Sequence, residues 1–183
     1  MEGRPWIRDL NLQFSPVRLN RVDLFRRFGE VMGDSWSGIV DVGSKPIVER
    51  EAIATGIIML KRESIDAVAN GSSPKGDVRE ASTISAIQAV KETSRILPHC
   101  HPIPIEGCNV DWALEERGLR CNVTVRTHWT TGVEMEALCG VSAGLLCAWD
   151  MLKPIEKDKG GQYPEVRIED IRVLSKKKSH PQD

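Results

Sequence analysis

The sequence predicts an α+β protein of the ferredoxin-like, split βαβ kind: an antiparallel sheet with two long helices on one face and one extra short helix. Three observations carry this. Apolar and polar residues alternate with period two over Pro46–Leu60, Cys108–Glu115, Leu119–Thr127 and Val166–Leu174, the mark of half-buried strands. Thr131–Lys153 instead repeats at helical spacing and is apolar or small on nearly every face. Setting aside one short helix, the order of elements is β-α-β-β-α-β.

Residues 1–36 mix arginine, aspartate and isolated aromatics, with one amphipathic stretch at Val22–Phe28. They are expected to form an N-terminal extension, partly disordered or packed on a neighbouring subunit. A single catalytic α+β domain is expected over 37–176, with a polar, fraying tail at 177–183.

Within the domain, Pro46–Leu60 places Ala52, Ala54, Gly56, Ile58 and Leu60 on one side of a long strand. Glu63–Asn70 reads as a short helix with Ile65 and Val68 inward and Gly71 as its left-handed stop. Asp77 caps the next helix, and Asp77 with Glu80 has the spacing of a capping box. That helix is expected to reach Leu97 with Ala81, Ile84, Ile87 and Val90 inward, and Pro98 ends it. Glu116-Arg117-Gly118 turns the two central strands into a hairpin. Thr131–Lys153 is expected to be enclosed on all sides, by its own domain or by partner subunits, with charge only at its ends, and Pro154–Pro164 to be a loop.

Composition excludes several classes. The formal net charge of −1 over 183 residues argues against a nucleic-acid coat or a membrane-surface binder. No apolar run is expected to reach membrane-span length, and no secretory signal pattern opens the sequence. Five scattered cysteines without a C-x-x-C pair read as reduced thiols of a cytoplasmic protein.

Four constellations carry chemistry, each beside a plainer reading. Lys75-Gly76-Asp77 sets a cation on a glycine-bearing loop before a helix N-terminus, a place for a phosphate; equally, it is a solvated lysine before an ordinary cap. His99 and His101 share one face of an extended segment and Cys100 takes the other, which gives a proton carrier or merely a filled turn. At most two of these three groups can share a metal, and nothing nearby completes the ligand set. Glu134 and Glu136 open the buried helix, where acidic residues complement its dipole, but they point to different sides. Asp150 and Lys153 lie three apart at its far end, either as dipole complements or as an acid–base or phosphate-clamping pair. Glu134 and Asp150 are separated by about 24 Å of helix. One small-molecule site can hardly use both ends, which points to an oligomer with shared sites.

The motifs IVDVGSKPIVEREAIATG (39–56), KGDV (75–78), K-x-T-x-x-x-L-P-x-C-H-P (91–102), TGVEMEAL (131–138) and DMLK (150–153) resemble the cyclic pyranopterin monophosphate synthase family of molybdenum cofactor biosynthesis. The resemblance spans about residues 39–176 in one collinear order. It implies a ferredoxin-like lyase that turns a cyclic, GTP-derived nucleotide triphosphate into cyclic pyranopterin monophosphate and diphosphate, without cofactor or metal. It further implies a homohexamer built as a trimer of dimers with interface active sites, working after a radical-SAM GTP cyclase. Carried over residue by residue, Lys75, Asp150 and Lys153 are the implied catalytic groups. Arg50, Lys91, His99, Cys100, His101, Glu134, Met135 and Glu136 are the implied substrate-binding groups. Sharing between copies is expected to divide Lys75 from Lys153. Bacterial relatives often carry basic residues at the positions of Glu92 and Thr130 and in a glycine-rich tail; here the tail reads Lys176-Lys177-Lys178.

Overall fold

The computed structural model describes residues 38–179. The expectations for residues 1–36 and for the end of the tail lie outside the described residues. Strand β1 spans Val48–Met59, α1 Arg62–Asn70, α2 Val78–Lys91 and α3 Thr93–Ile96. Then follow β2 Gly107–Glu115, β3 Gly118–Trp129, α4 Glu134–Glu156 and β4 Arg167–Lys178. The sheet is antiparallel in the order β2-β3-β1-β4, with α2 and α4 on one face. This is the predicted ferredoxin-like arrangement.

The alternation that predicted β1 is the one that builds the core. Ala52, Ala54, Ile58 and Leu60 are buried with Cys121, Val123 and Val125 of β3 beneath Val141, Leu145 and Leu152 of α4. At Gly56 the side chains of α4 come down directly onto the strand. A Cβ there would lie 2.8 Å from both Leu145 Cδ1 and Val141 Cγ1, so any other residue has to displace those buried side chains.

The helices depart from expectation at instructive points. The predicted single helix to Leu97 is broken at Glu92, whose φ −104 and ψ 10 put it in the bridge region. The cause is Thr93, a buried hydroxyl that donates to Ala89 O and Val90 O and so competes for the carbonyls that continue a helix. Helix α2 buries Val90 as expected, with Ala81 packed against the core, but its inward face is turned away from Ile84. Val78, Ser82, Ala86, Ala89 and Val90 point inward, while Ile84 is 61% exposed. The capping box is half formed: Asp77 Oδ1 accepts the Glu80 N–H at 3.0 Å.

Helix α4 is not enclosed all round within one chain. Its small residues face inward, where Gly140 and Gly144 let α2 come close, but Leu146 and Met135 stay 59% and 42% exposed. It also runs past Lys153 and through Pro154 to Glu156. By length and mean hydropathy this helix alone, among the described residues, is apolar enough to cross a membrane, correcting the expectation that no run is. Its burial against α2 and three strands explains that apolarity as a core helix. Strand β4 likewise outruns its predicted end at Leu174. Lys176, Lys177 and Lys178 pair with Ala52, Glu51 and Arg50 of β1, so the basic run is strand rather than tail.

Candidate active site

Two polar clusters stand at opposite ends of α4. The first gathers around Asp150. Lys75, delivered by the loop before α2, places Nζ 2.7 Å from Asp150 Oδ2 and 2.9 Å from the Asp150 carbonyl. Lys153, one helical turn on, places Nζ 2.5 Å from Oδ1. Hydrogen bonds from Lys153 and then Lys75 hold the Asp150 carboxyl down at about 2, and the same carboxylate raises the Lys153 ammonium. Two cations on one anion leave one positive charge in excess, at a half-exposed position open to an incoming anion. The expectation that Lys75 and Lys153 come from different copies is corrected: one chain brings both to the same carboxylate. The reason is the α2–α4 packing, which lays the α2 entry loop beside the last turns of α4.

The second cluster surrounds the start of α4. A cleft of about 60 Å³ is lined by Val90, Lys91, Thr93, His101, Ile103 and Glu136. Glu136 is only 3% exposed, and its burial pushes the carboxyl up to about 6, with the neighbouring Glu134 charge adding to the rise. His101 Nε2 lies 2.8 Å from the Val40 carbonyl, which ties the histidine segment to the stretch leading into β1. Cys100 is partly buried, and burial, Glu136 and Cys139 together keep its thiol protonated. His99, Lys91 and Met135 are exposed around this cluster.

Glu134 faces away from the cleft, toward the sheet edge. Lys176 Nζ of β4 sits 2.8 Å from its Oε1. Burial alone would raise the Glu134 carboxyl, but the Lys176 hydrogen bond, its own backbone N–H and the charges of Lys176 and Arg50 outweigh that and lower it. Arg50 itself donates from Nη2 to Thr130 O at 3.0 Å and from Nε to Trp129 O at 3.3 Å, fixing the turn that launches α4.

All the sequence-derived candidates therefore fall into two groups: Lys75, Asp150 and Lys153 at one end, and Arg50, Lys91, His99, Cys100, His101, Glu134, Met135 and Glu136 near the other. Two participants carry no local signal in the sequence. Lys176 lies just past the expected strand end at Leu174, and the register of β4 on β1 is what aims it at Glu134. Thr93 stands within the K-x-T of the motif, and its buried hydroxyl turns the chain toward the histidines. Among the described residues no three His, Cys, Asp or Glu side chains are grouped to hold a metal ion.

Fold and charge together define a ferredoxin-like α+β protein carrying polar clusters at both ends of one core helix. A family model described as the MoaC family matches residues 39–179, and the chain belongs to that family, the cyclic pyranopterin monophosphate synthases. It is 48% identical over 142 residues to a probable cyclic pyranopterin monophosphate synthase of Sulfurisphaera tokodaii, covering 78% of this chain and 94% of the relative. A protein of the same description from Sulfolobus acidocaldarius is 49% identical over 142 residues, 78% of this chain and 99% of the relative. A Methanothermobacter thermautotrophicus protein, described as a probable cyclic pyranopterin monophosphate synthase accessory protein, is 49% identical over 140 residues, 76% of this chain and 88% of the relative.

Proposed function

We propose that this chain is a cyclic pyranopterin monophosphate synthase, a lyase of molybdenum cofactor biosynthesis. It converts (8S)-3',8-cyclo-7,8-dihydroguanosine 5'-triphosphate, the product of a radical-SAM GTP cyclase, to cyclic pyranopterin monophosphate and diphosphate. The observation that carries this reading is the Lys75–Asp150–Lys153 centre in a chain of this family. Two ammonium groups on one carboxylate form a cationic cradle for a polyphosphate and stabilise charge as diphosphate leaves. Asp150, ionised at neutral pH, accepts a proton when substrate phosphate draws the lysines away. At the other end, Glu136, its carboxyl raised to about 6, supplies a buried proton donor or acceptor beside His101.

Asp150 and Glu136 lie about 21 Å apart along α4, too far for one nucleotide to engage both ends closely. We therefore propose a homohexamer, a trimer of dimers, in which the Asp150 end of one copy meets the Glu136 end of another. The exposed Met135 and Leu146 on the outer face of α4 suit such burial.

The test is direct. Purified full-length protein, given the cyclic triphosphate alone, should release one diphosphate per cyclic pyranopterin monophosphate formed, and exhaustive chelation should leave the rate unchanged. Product that forms only when a second protein is added would make the chain an accessory and overturn the reading.

A further inference from the structure

Helix α4 carries a proline in its final turns, and the carbonyl which that proline leaves unbonded is the one Lys75 uses. In a regular α-helix the N–H of residue 154 donates to the carbonyl of residue 150. Pro154 has no N–H, and a proline ring pushes against the carbonyl four residues back. The Asp150 carbonyl accepts Lys75 Nζ at 2.9 Å instead, beside the 2.7 Å bond from the same ammonium to Asp150 Oδ2.

This is not the ordinary openness of a helix end. With Lys157 N–H closing on Lys153 O at the C-cap, the orphan carbonyls of this helix end are those of residues 154–157. Asp150 lies one turn further in, so its carbonyl is open because residue 154 is proline. An interior proline is strongly unfavourable in a helix, yet α4 continues because its last turn is held from outside. Lys61 N donates to Glu156 Oε1 at 3.0 Å, Lys61 Nζ donates to Glu156 O at 2.9 Å, and Lys157 N closes on Lys153 O at 3.2 Å.

We propose that Pro154 is a positioning residue for the lysine centre: by leaving the Asp150 carbonyl open, it gives Lys75 a second acceptor that fixes the ammonium. This rests on the reading of that centre as the phosphate-binding part of a synthase site. A lysine has a long, flexible stem, and one carboxylate contact at a half-exposed position leaves it free to swing. A carbonyl at fixed geometry orients the ammonium without neutralising it, so the charge stays available to an arriving phosphate. The gain is pre-organisation, felt most in the transition state.

Two full-length variants separate the missing N–H from the ring. Pro154→Ala restores the N–H; a variant with lactic acid at position 154 removes the ring but, having an ester in place of the amide, restores no N–H. The alanine variant should lose about tenfold in kcat/KM, the scale of one hydrogen bond to a charged group. Its thermal midpoint should hold or rise, since alanine suits a helix better. Its crystal structure should show Lys75 Nζ withdrawn from the Asp150 carbonyl. The lactic acid variant should keep that contact and stay within about twofold of the unaltered rate. Equal losses in both variants, or an alanine variant that keeps both the contact and the rate, would overturn the proposal. If the unaltered protein makes no product, the synthase reading has failed instead, and the Lys75 position in the two crystal structures decides alone.

Discussion

Lys75 and Asp150, seventy-five residues apart in the chain, meet twice: the ammonium donates to the carboxylate at 2.7 Å and to the backbone carbonyl at 2.9 Å. With Lys153 on the other carboxylate oxygen at 2.5 Å, Asp150 is the counter-ion of two cations. Asp150→Asn keeps the shape and removes the charge, which leaves the two lysines repelling each other with no proton acceptor between them. Turnover should fall by at least about a hundredfold, the lower range for loss of an acid–base group. The centre is half exposed and its ion pairs are screened, so the thermal midpoint should move little. Because the carboxyl is held low, at about 2, its contribution to stability is complete above the usual aspartate range and is lost only as pH falls through about 2. A midpoint drop of many degrees at neutral pH, with turnover retained, would contradict this division between function and stability.

The contact between α4 and α2 makes a sharper stability prediction. A Cβ at Gly140 would lie 2.7 Å from Val90 Cγ2 and 3.1 Å from Val123 Cγ1, both buried on other elements. At Gly144 the tightest neighbour is Ala86 Cβ at 3.3 Å. Alanine gains about 1 kcal/mol over glycine in a helix interior, while overpacking a core costs about 1–3 kcal/mol. Gly140→Ala should therefore destabilise by about 1 kcal/mol and Gly144→Ala should be close to neutral. Chemical denaturation of the two variants side by side checks the ranking, and a more stable Gly140→Ala would refute it.

Period-two patterning made the sheet legible most clearly in β3, where Leu119, Cys121, Val123 and Val125 share one buried face, and a one-residue slip would reverse them together. Helix existence was legible for the same reason, but helix orientation was not. In α2 apolarity points Ile84 to the core side, whereas Ser82 and Ala86 are buried, because close packing against Gly140 and Gly144 rewards small residues over apolar ones. The Thr93 break and the extension of β4 depend on a side-chain hydroxyl and on strand register, which local periodicity does not encode. Candidate residues were readable one by one. Their division into two clusters followed from the length of α4, but that Lys75 joins Lys153 rather than opposing it needed the packing of α2.

Glu136 predicts an opposition between stability and activity. Its carboxyl is raised from the ordinary 4.5 to about 6 by burial, so the folded state holds this proton more tightly than the unfolded chain. Stability from this group is therefore present at low pH and is lost as pH rises from about 4.5 through about 6. Glu136→Gln removes the cost of the buried charge. The variant should be more stable than the parent at pH 7.5, by an amount up to about 2 kcal/mol, and indistinguishable from it near pH 4. Turnover should fall at every pH. Denaturant titrations across that range test the sign, and a variant less stable at pH 7.5 than at pH 4 relative to the parent would reverse it.

The strongest test of a shared site uses one variant from each end of α4. Lys153→Ala removes a cation at the Asp150 end, and His101→Ala removes a group beside Glu136. Each homo-oligomer should be nearly inactive, since every site lacks one of the two. When the variants are unfolded together, refolded and purified as mixed oligomers, some interfaces will pair the intact Asp150 end of one copy with the intact Glu136 end of another. In an evenly mixed dimer, one of the two sites is whole and the other lacks both groups, so activity should approach half that of the unaltered protein. Lys75→Ala mixed with Lys153→Ala should give no such recovery, because both lysines bind the same Asp150 within one chain. Recovery in the second mixture, or none in the first, would show that the two ends of α4 do not build one site between copies.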